Sequence, residues 1–186
     1  MSDTPSQRGD RYLRHLYSLV SRMDKGDPTA RAAIARLRRG LGRPAGAAVE
    51  TLPEVLPYID AEDARRVSGG FTTLRDTCFL IGGLLASHPE AAEAGANLGA
   101  TLHAVGTHES AERRMVALLN ARRDQLPELL RQAIALASSA RVPVNYRQLF
   151  QDVLDWEQED RRVQLRWASY YWPAPSKAAA ESPDSN

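Results

Sequence analysis

"ESAERRMVALLNARRDQLPELLRQ", residues 109–132, sets two adjacent arginine pairs among apolar residues at helical spacing. Met115, Val116, Leu118 and Leu119 form an apolar stripe at helical spacing. Leu126, Leu129, Leu130, Ala133, Ile134 and Ala137 form a second one. One unbroken helix would set Arg122 and Arg123 beside the first stripe, where burying two cations is costly. A break near residues 121–124 removes the conflict. Asp124 then caps a second helix with Pro127 in its first turn. Arg122 and Arg123 fall at the C-terminal end of the first helix, where the dipole favours cations.

The composition extends this helical reading to the whole chain. Ala (28), Leu (22) and Arg (22) are strong helix formers and account for well over a third of the 186 residues, while Ile (4) and Phe (3) are scarce. With 43% hydrophobic residues the chain can bury a real core. The expected fold is all-α, one or two helical bundles of about seven to nine helices with no sheet. Cys78 is the single cysteine, so neither an internal disulfide nor a thiolate metal site is expected. The longest apolar run, "CFLIGGLLA" at 78–86, is far shorter than the roughly 20 residues that span a bilayer, and "MSDTPSQRGD" lacks a signal-peptide core. The expectation is a cytoplasmic protein with no membrane association.

Outside the opening stretch, Tyr12, Leu13, Leu16, Leu19, Val20 and Met23 recur at spacings of three and four and predict an amphipathic helix over 11–23. "DPTARAAIARLRRG" opens with Asp27 as N-cap and Pro28 at the first helical position and closes at Gly40, with Ala30, Ala33, Ile34 and Leu37 as its buried stripe. Residues 40–63 carry Pro44, Pro53 and Pro57 and read as a connector with short helical pieces. Val67, Phe71, Leu74, Cys78, Ile81 and Leu85 predict a helix from about 63 to 87, in which Gly82-Gly83 suggest close helix contact. Residues 90–106 supply another helix, weakened by glycines. Asn145 with Gln148 forms a capping box, and Val144 staples against Leu149. Leu149, Val153, Trp156, Val163, Trp167 and Tyr170 then continue a stripe interrupted at Asp160, where a kink or junction is expected. The predicted organisation is a flexible N-terminus at 1–9, helical regions at 10–106 and 107–173, and a disordered tail at 174–186.

The net charge of +1 hides its distribution. Segments 1–43 and 111–147 carry +6 and +4, whereas 44–64, 65–110 and 148–186 carry −5, −1 and −3. Alternating basic and acidic segments suit a protein with one polyanion-facing side. Arg outnumbers Lys 22 to 2, which suits bidentate phosphate contact, although a GC-rich genome would also favour Arg over Lys. Isolated Arg8, Arg65 and Arg147 read as partners of surface carboxylates. For the clusters the nearby acids are too few to pair every arginine.

Chemistry-bearing motifs are missing from the sequence: no P-loop, GxGxxG, GxSxG, HExxH or zinc-spaced Cys/His cluster is present. His15, His88, His103 and His108 are scattered. Asp60, Glu62 and Asp63, and Asp155, Glu157, Glu159 and Asp160, read as solvated or partner-facing faces rather than magnesium sites. No enzyme activity, metal or cofactor is expected.

The segments "ARLRRGLGRPAG" (35–46), "NLGATLHAVG" (97–106), "SAERRMVALL" (110–119), "LPELLRQAIAL" (126–136) and "VNYRQLFQDVLDW...RVQLRWASYYW" (144–172) stand in a characteristic order. On these residues the chain resembles the CasB family, small subunits of the type I-E CRISPR surveillance complex Cascade, over most of residues 10–172. The resemblance implies an all-α, non-enzymatic subunit, two copies of which lie head to tail against the backbone-forming subunits and the large subunit. It also implies that surface arginines hold the backbones of crRNA, target DNA and displaced single-stranded DNA, stabilising the R-loop without reading sequence. The family's LRR matches Leu37, Arg38 and Arg39, and its ERR matches Glu112, Arg113 and Arg114. Basic residues after the following LL correspond to Arg122 and Arg123. Arg131 matches a further basic position, whose usual doublet is reduced here to Arg131-Gln132, and Arg161 and Arg162 are weaker candidates. The implied nucleic-acid set is therefore Arg38, Arg39, Arg113, Arg114, Arg122, Arg123 and Arg131. A different class, a helical adaptor whose basic patches bind only protein partners, fits the same charge pattern.

Overall fold

The computed structural model describes residues 5–60, 74–91 and 97–174. Among them are nine α-helices and no strand, with one isolated bridge between Ala91 and Val144. In chain order the helices are α1 (Pro5–Asp24), α2 (Pro28–Gly40), α3 (Leu52–Val55), α4 (Leu74–Ser87), α5 (Leu98–Val105), α6 (Glu109–Leu119), α7 (Leu126–Ala140), α8 (Tyr146–Leu154) and α9 (Arg162–Tyr171). Val67 and Phe71, the N-terminal part of the predicted fourth helix, lie outside the described residues, as do Glu62, Asp63, Arg65 and the tail from 175. No helix of the described residues is long and apolar enough to cross a membrane.

Two of the expected start signals act through specific hydrogen bonds. The Asp27 carboxylate accepts from the backbone N–H of Thr29 (2.8 Å) and Ala30 (3.2 Å), two donors that the first turn of α2 leaves unpaired. Asn145 accepts from Gln148 N–H at 2.9 Å. Gln148 does not reach back to close the box; its amide donates to Asp152 (2.8 Å). The expected stripe of α2 is buried as Ala30, Ala33, Ile34 and Leu37.

Packing explains the glycines. α4 lies against α1 and α2, and a Cβ on Gly82 would run into the Tyr12 hydroxyl while one on Gly83 would press on Leu41. Gly99 of α5 sits on the backbone of Trp167, so the glycine expected to weaken that helix is the contact that lets α5 and α9 cross closely. A single apolar cluster runs through all these helices, from Tyr12 and Leu16 to Trp156 and Trp167, whose tilted rings meet at 5.0 Å.

The break in 109–132 falls where expected, with α6 ending at Leu119 and α7 beginning at Leu126 after a 3-10 turn over Arg123–Gln125. Tertiary donors satisfy the carbonyls the break leaves open. Trp156 Nε1 donates to Ala121 O (2.9 Å) and Arg161 to Leu119 O (2.8 Å). Asp124 does not cap α7, because the intervening 3-10 turn moves the helix start beyond its reach. Gln125 closes the turn instead, its side chain accepting from Arg122 N–H at 2.9 Å. Two stripe positions also differ. Val116 is exposed while Met115 and Leu118 are buried, and Tyr171 rather than Tyr170 turns into the core beyond the junction at 155–161.

Candidate nucleic-acid interface

Arg38 and Arg39 occupy the last turn of α2, exposed at the negative end of the helix dipole. Arg39 stands 3.9 Å from Glu50, and Arg38 has no carboxylate partner among the described residues. The chain then folds through two turns, with Gly42 and Gly46 at positive φ (84° and 80°), so that exposed Arg43 projects from the same end. Arg36 behaves differently. It turns inward to the buried Glu54 (2.5 Å), which His15 also contacts at 3.1 Å.

On α6, Arg113 pairs with Glu109 one turn earlier (2.8 Å), both largely in solvent. Arg114 is exposed and donates to the Ser110 carbonyl of its own helix (3.0 Å). In the turn, Arg122 extends into solvent and touches Asp124 at 3.1 Å. Arg131 on α7 pairs with Glu128 at 2.6 Å, a contact that holds the Glu128 carboxyl below its ordinary range and lifts Arg131.

Arg123 is the exception within the expected set. It is 8% exposed, donates to the Leu154 carbonyl at 3.3 Å and faces Glu157 at 4.0 Å. Burial pulls its pKa down, and Glu157, Asp76 and Asp155 counter that. In this arrangement Arg123 ties the α6–α7 turn to the end of α8 and does not reach a surface ligand. Two of the three isolated arginines pair as expected, Arg8 with Asp60 and Arg147 with Asp10, each at 2.5 Å, and Arg65 lies outside the described residues. Arg162 pairs with Asp155 (2.9 Å).

Two hollows organise these side chains. A cleft of about 570 Å³ lies between the α2 end, α4 and the start of α7, with Leu41, Arg43, Phe79, Asp124 and Glu128 in its walls. Arg122 and Arg131 pair with two of its wall carboxylates, Asp124 and Glu128, while Arg43 lines it from the segment after α2. A second hollow of about 310 Å³ between α5, α6 and α7 carries Arg113 and Arg114, with Gln132 on its α7 side. Glu128 and Gln132 are one turn apart and bonded to each other (2.8 Å), so a single turn of α7 joins the two hollows. Exposed ion pairs of this kind contribute roughly 0–1 kcal/mol, so a phosphate can replace the carboxylate partner. Arg43 was not among the expected residues, although its signal was present: a base between glycine and proline with no acid nearby.

A protein-family model, CRISPR-associated protein Cse2, matches residues 33–172. A CRISPR-associated protein Cse2 of Thermus thermophilus is 34% identical over 168 residues, 89% of this chain and 90% of that protein. The crystal structure of M. ruber CasB superposes with a TM-score of 0.69 at 26% identity, covering 97% of this chain and 99% of that one. A chain of a CRISPR RNA-guided surveillance complex shares the fold at a TM-score of 0.65 and 21% identity, over 91% of this chain and 94% of its own length.

Proposed function

The chain belongs to the CRISPR-associated Cse2 family, and on that premise we propose that it is the non-catalytic small subunit of a Cascade-type, RNA-guided DNA surveillance complex in the cytoplasm. In that role it binds the backbone-forming and large subunits and a second copy of itself. Its surface arginines hold crRNA or target DNA and the displaced single strand, which stabilises the R-loop. Guide pairing carries sequence specificity in such systems, so contacts to backbone alone suffice. Each arginine that engages a phosphate releases counterions and favours the opened strands over the reannealed duplex.

The observation that carries this reading is that Arg43 and Arg114 are exposed, have no carboxylate partner among the described residues, and line two hollows one α7 turn apart, with exposed Arg38 in the last turn of the helix that leads into the larger one. Arg39, Arg113, Arg122 and Arg131 extend the same surface through weak pairs that a phosphate can displace. Arg123 serves the fold. The alternative, an adaptor that binds only proteins, is favoured by one feature: Val116 and Leu165 are exposed in a hollow edged by Glu159 and Asp160.

Fluorescence anisotropy with a labelled mixed-sequence strand of about 40 nucleotides, at low and moderate salt, separates the two. Native protein should bind without sequence preference. Arg38→Ala/Arg39→Ala/Arg114→Ala/Arg122→Ala should flatten the plot of log affinity against log salt by about 0.7 for each phosphate that the variant no longer neutralises, with helical circular dichroism intact. Absence of binding at low salt, or binding untouched by the four substitutions, leaves the adaptor reading.

A further inference from the structure

The larger cleft sorts ligands by charge. Its walls hold three carboxyl groups, each beside a guanidinium: Asp76 with Arg75 (3.2 Å), Asp124 with Arg122 (3.1 Å) and Glu128 with Arg131 (2.6 Å). Its floor is apolar, built from Leu37, Leu41, Leu80 and the half-buried ring of Phe79. A phosphate entering the interior would meet three carboxylates at close range. At the mouth it meets Arg43, which is exposed and has no such partner among the described residues. What suits the interior is therefore neutral, flat and partly apolar, and attached to an anion that stays outside.

We propose that this cleft receives a nucleobase swung out of the strand that the surrounding arginines hold, with the base against Phe79 and its phosphate at Arg43. The proposal rests on the strand-binding reading above. At about 570 Å³ the cleft falls in the range of sites that take small organic ligands, and a single strand offers unstacked bases that settle on aromatic side chains. Asp124, one of the three wall carboxylates, has one carboxyl oxygen on Arg122. A carboxylate can accept several hydrogen bonds, so the second oxygen is placed to accept from an N–H on the Watson–Crick edge of a base. A carboxylate at that edge adds no contact to sugar or phosphate. The two Gly turns at 42 and 46 shape the wall facing α4 without side chains that would narrow the entrance.

The test uses the full chain and two labelled strands of equal length, one of mixed sequence and one abasic throughout, with 2-aminopurine as a stacking reporter in the first. The base-bearing strand should bind about tenfold tighter, within the span that aromatic stacking of one base contributes. Phe79→Leu keeps apolar packing but removes the ring, and Ala45→Trp fills the cleft from its wall. Both should bring the base-bearing strand down to the abasic one and restore 2-aminopurine fluorescence, while abasic affinity stays unchanged. Equal binding of the two strands by native protein would overturn the base site and leave strand binding standing. A base preference that survives both substitutions would overturn it too, the cleft then taking a protein side chain or nothing. Binding of neither strand would overturn strand binding and the base site together.

Discussion

Replacing Asp152 by alanine tests the junction between α8 and α9. The residue is fully buried, and its carboxyl oxygens accept from Trp167 Nε1 (2.6 Å), from the Gln148 amide (2.8 Å) and from Arg166. The three donors are not equivalent. Trp167 is itself fully buried, so alanine leaves its N–H with no water to turn to, at a cost of about 1–3 kcal/mol. Gln148 is half-buried and recovers part of its bond from solvent, costing about 1 kcal/mol. The Arg166 side chain is 42% exposed, so its share is discounted to below about 1 kcal/mol. With the void left by the carboxyl group, the total is about 4 kcal/mol.

Urea unfolding followed by far-ultraviolet circular dichroism reads this directly. At a slope of about 2–3 kcal/mol per molar, the midpoint should fall by between about 1 and about 2 M urea. Trp167→Phe removes the buried donor together with its need. Asp152→Ala/Trp167→Phe should therefore cost less than the sum of the single changes, by about 1–2 kcal/mol. A destabilisation under about 1 kcal/mol for Asp152→Ala, or simple additivity with Trp167→Phe, would refute the idea that a buried donor–acceptor network fixes α9.

Arg123→Ala should destabilise the fold by about 2–3 kcal/mol, because it unpairs the Leu154 carbonyl and strips packing from the turn, whereas exposed Arg122→Ala should fall within about 0.5 kcal/mol in the same assay. Tyr12→Phe should be neutral or stabilising by up to about 1–2 kcal/mol, since the hydroxyl is buried and has no hydrogen-bond partner among the described residues; it should also rescue part of the destabilisation in Gly82→Ala, whose new methyl group meets that hydroxyl. The hydrogen bond from Arg22, with those from Ala30 and Thr29, holds the Asp27 carboxyl below its ordinary 3.8, so its contribution is complete above that value and fades as pH falls through the folded-state pKa. Thermal melts from about pH 5 to about pH 2 should accordingly fall more gently for Asp27→Asn than for native protein.

The elements were legible where one local rule governs them. Asp27, Pro28 and Gly40 bound α2 because capping and the proline preference act within a few residues. The break at 121–124 follows from two cations that could not share a stripe with Met115 and Leu118. What sequence could not show was pairing over distance. Glu54 lies in an acidic, proline-rich connector and gives no hint that it is buried between Arg36 and His15. Asp152 carries no local sign of burial, yet it is buried because Trp167 and Arg166 of the next helix converge on it. Arg122 and Arg123 are adjacent and identical, and only the position of the 3-10 turn sends one to solvent and the other to the end of α8.

Distance pairing also changes the meaning of the local charge count. Segment 111–147 carries seven arginines against three acids. Arg113, however, finds Glu109, Arg147 finds Asp10 and Arg123 faces Glu157, all acids outside the segment. The net charge of +4 thus overstates how much uncompensated cation is on display. Strand binding at Arg113 must then proceed by exchange, with phosphate displacing Glu109 from an exposed pair. Glu109→Gln isolates that step, because it frees Arg113 and removes a repelling anion without touching the core; the Glu109 side chain is 84% exposed. Affinity for a mixed-sequence strand should rise about two- to threefold at low salt, and the gain should shrink at moderate salt as screening grows. Arg114→Ala should lower affinity on the same strand, since Arg114 has no carboxylate to exchange. A weakening in Arg114→Ala with no gain in Glu109→Gln would put Arg114 alone at the strand and leave Arg113 as half of a surface pair.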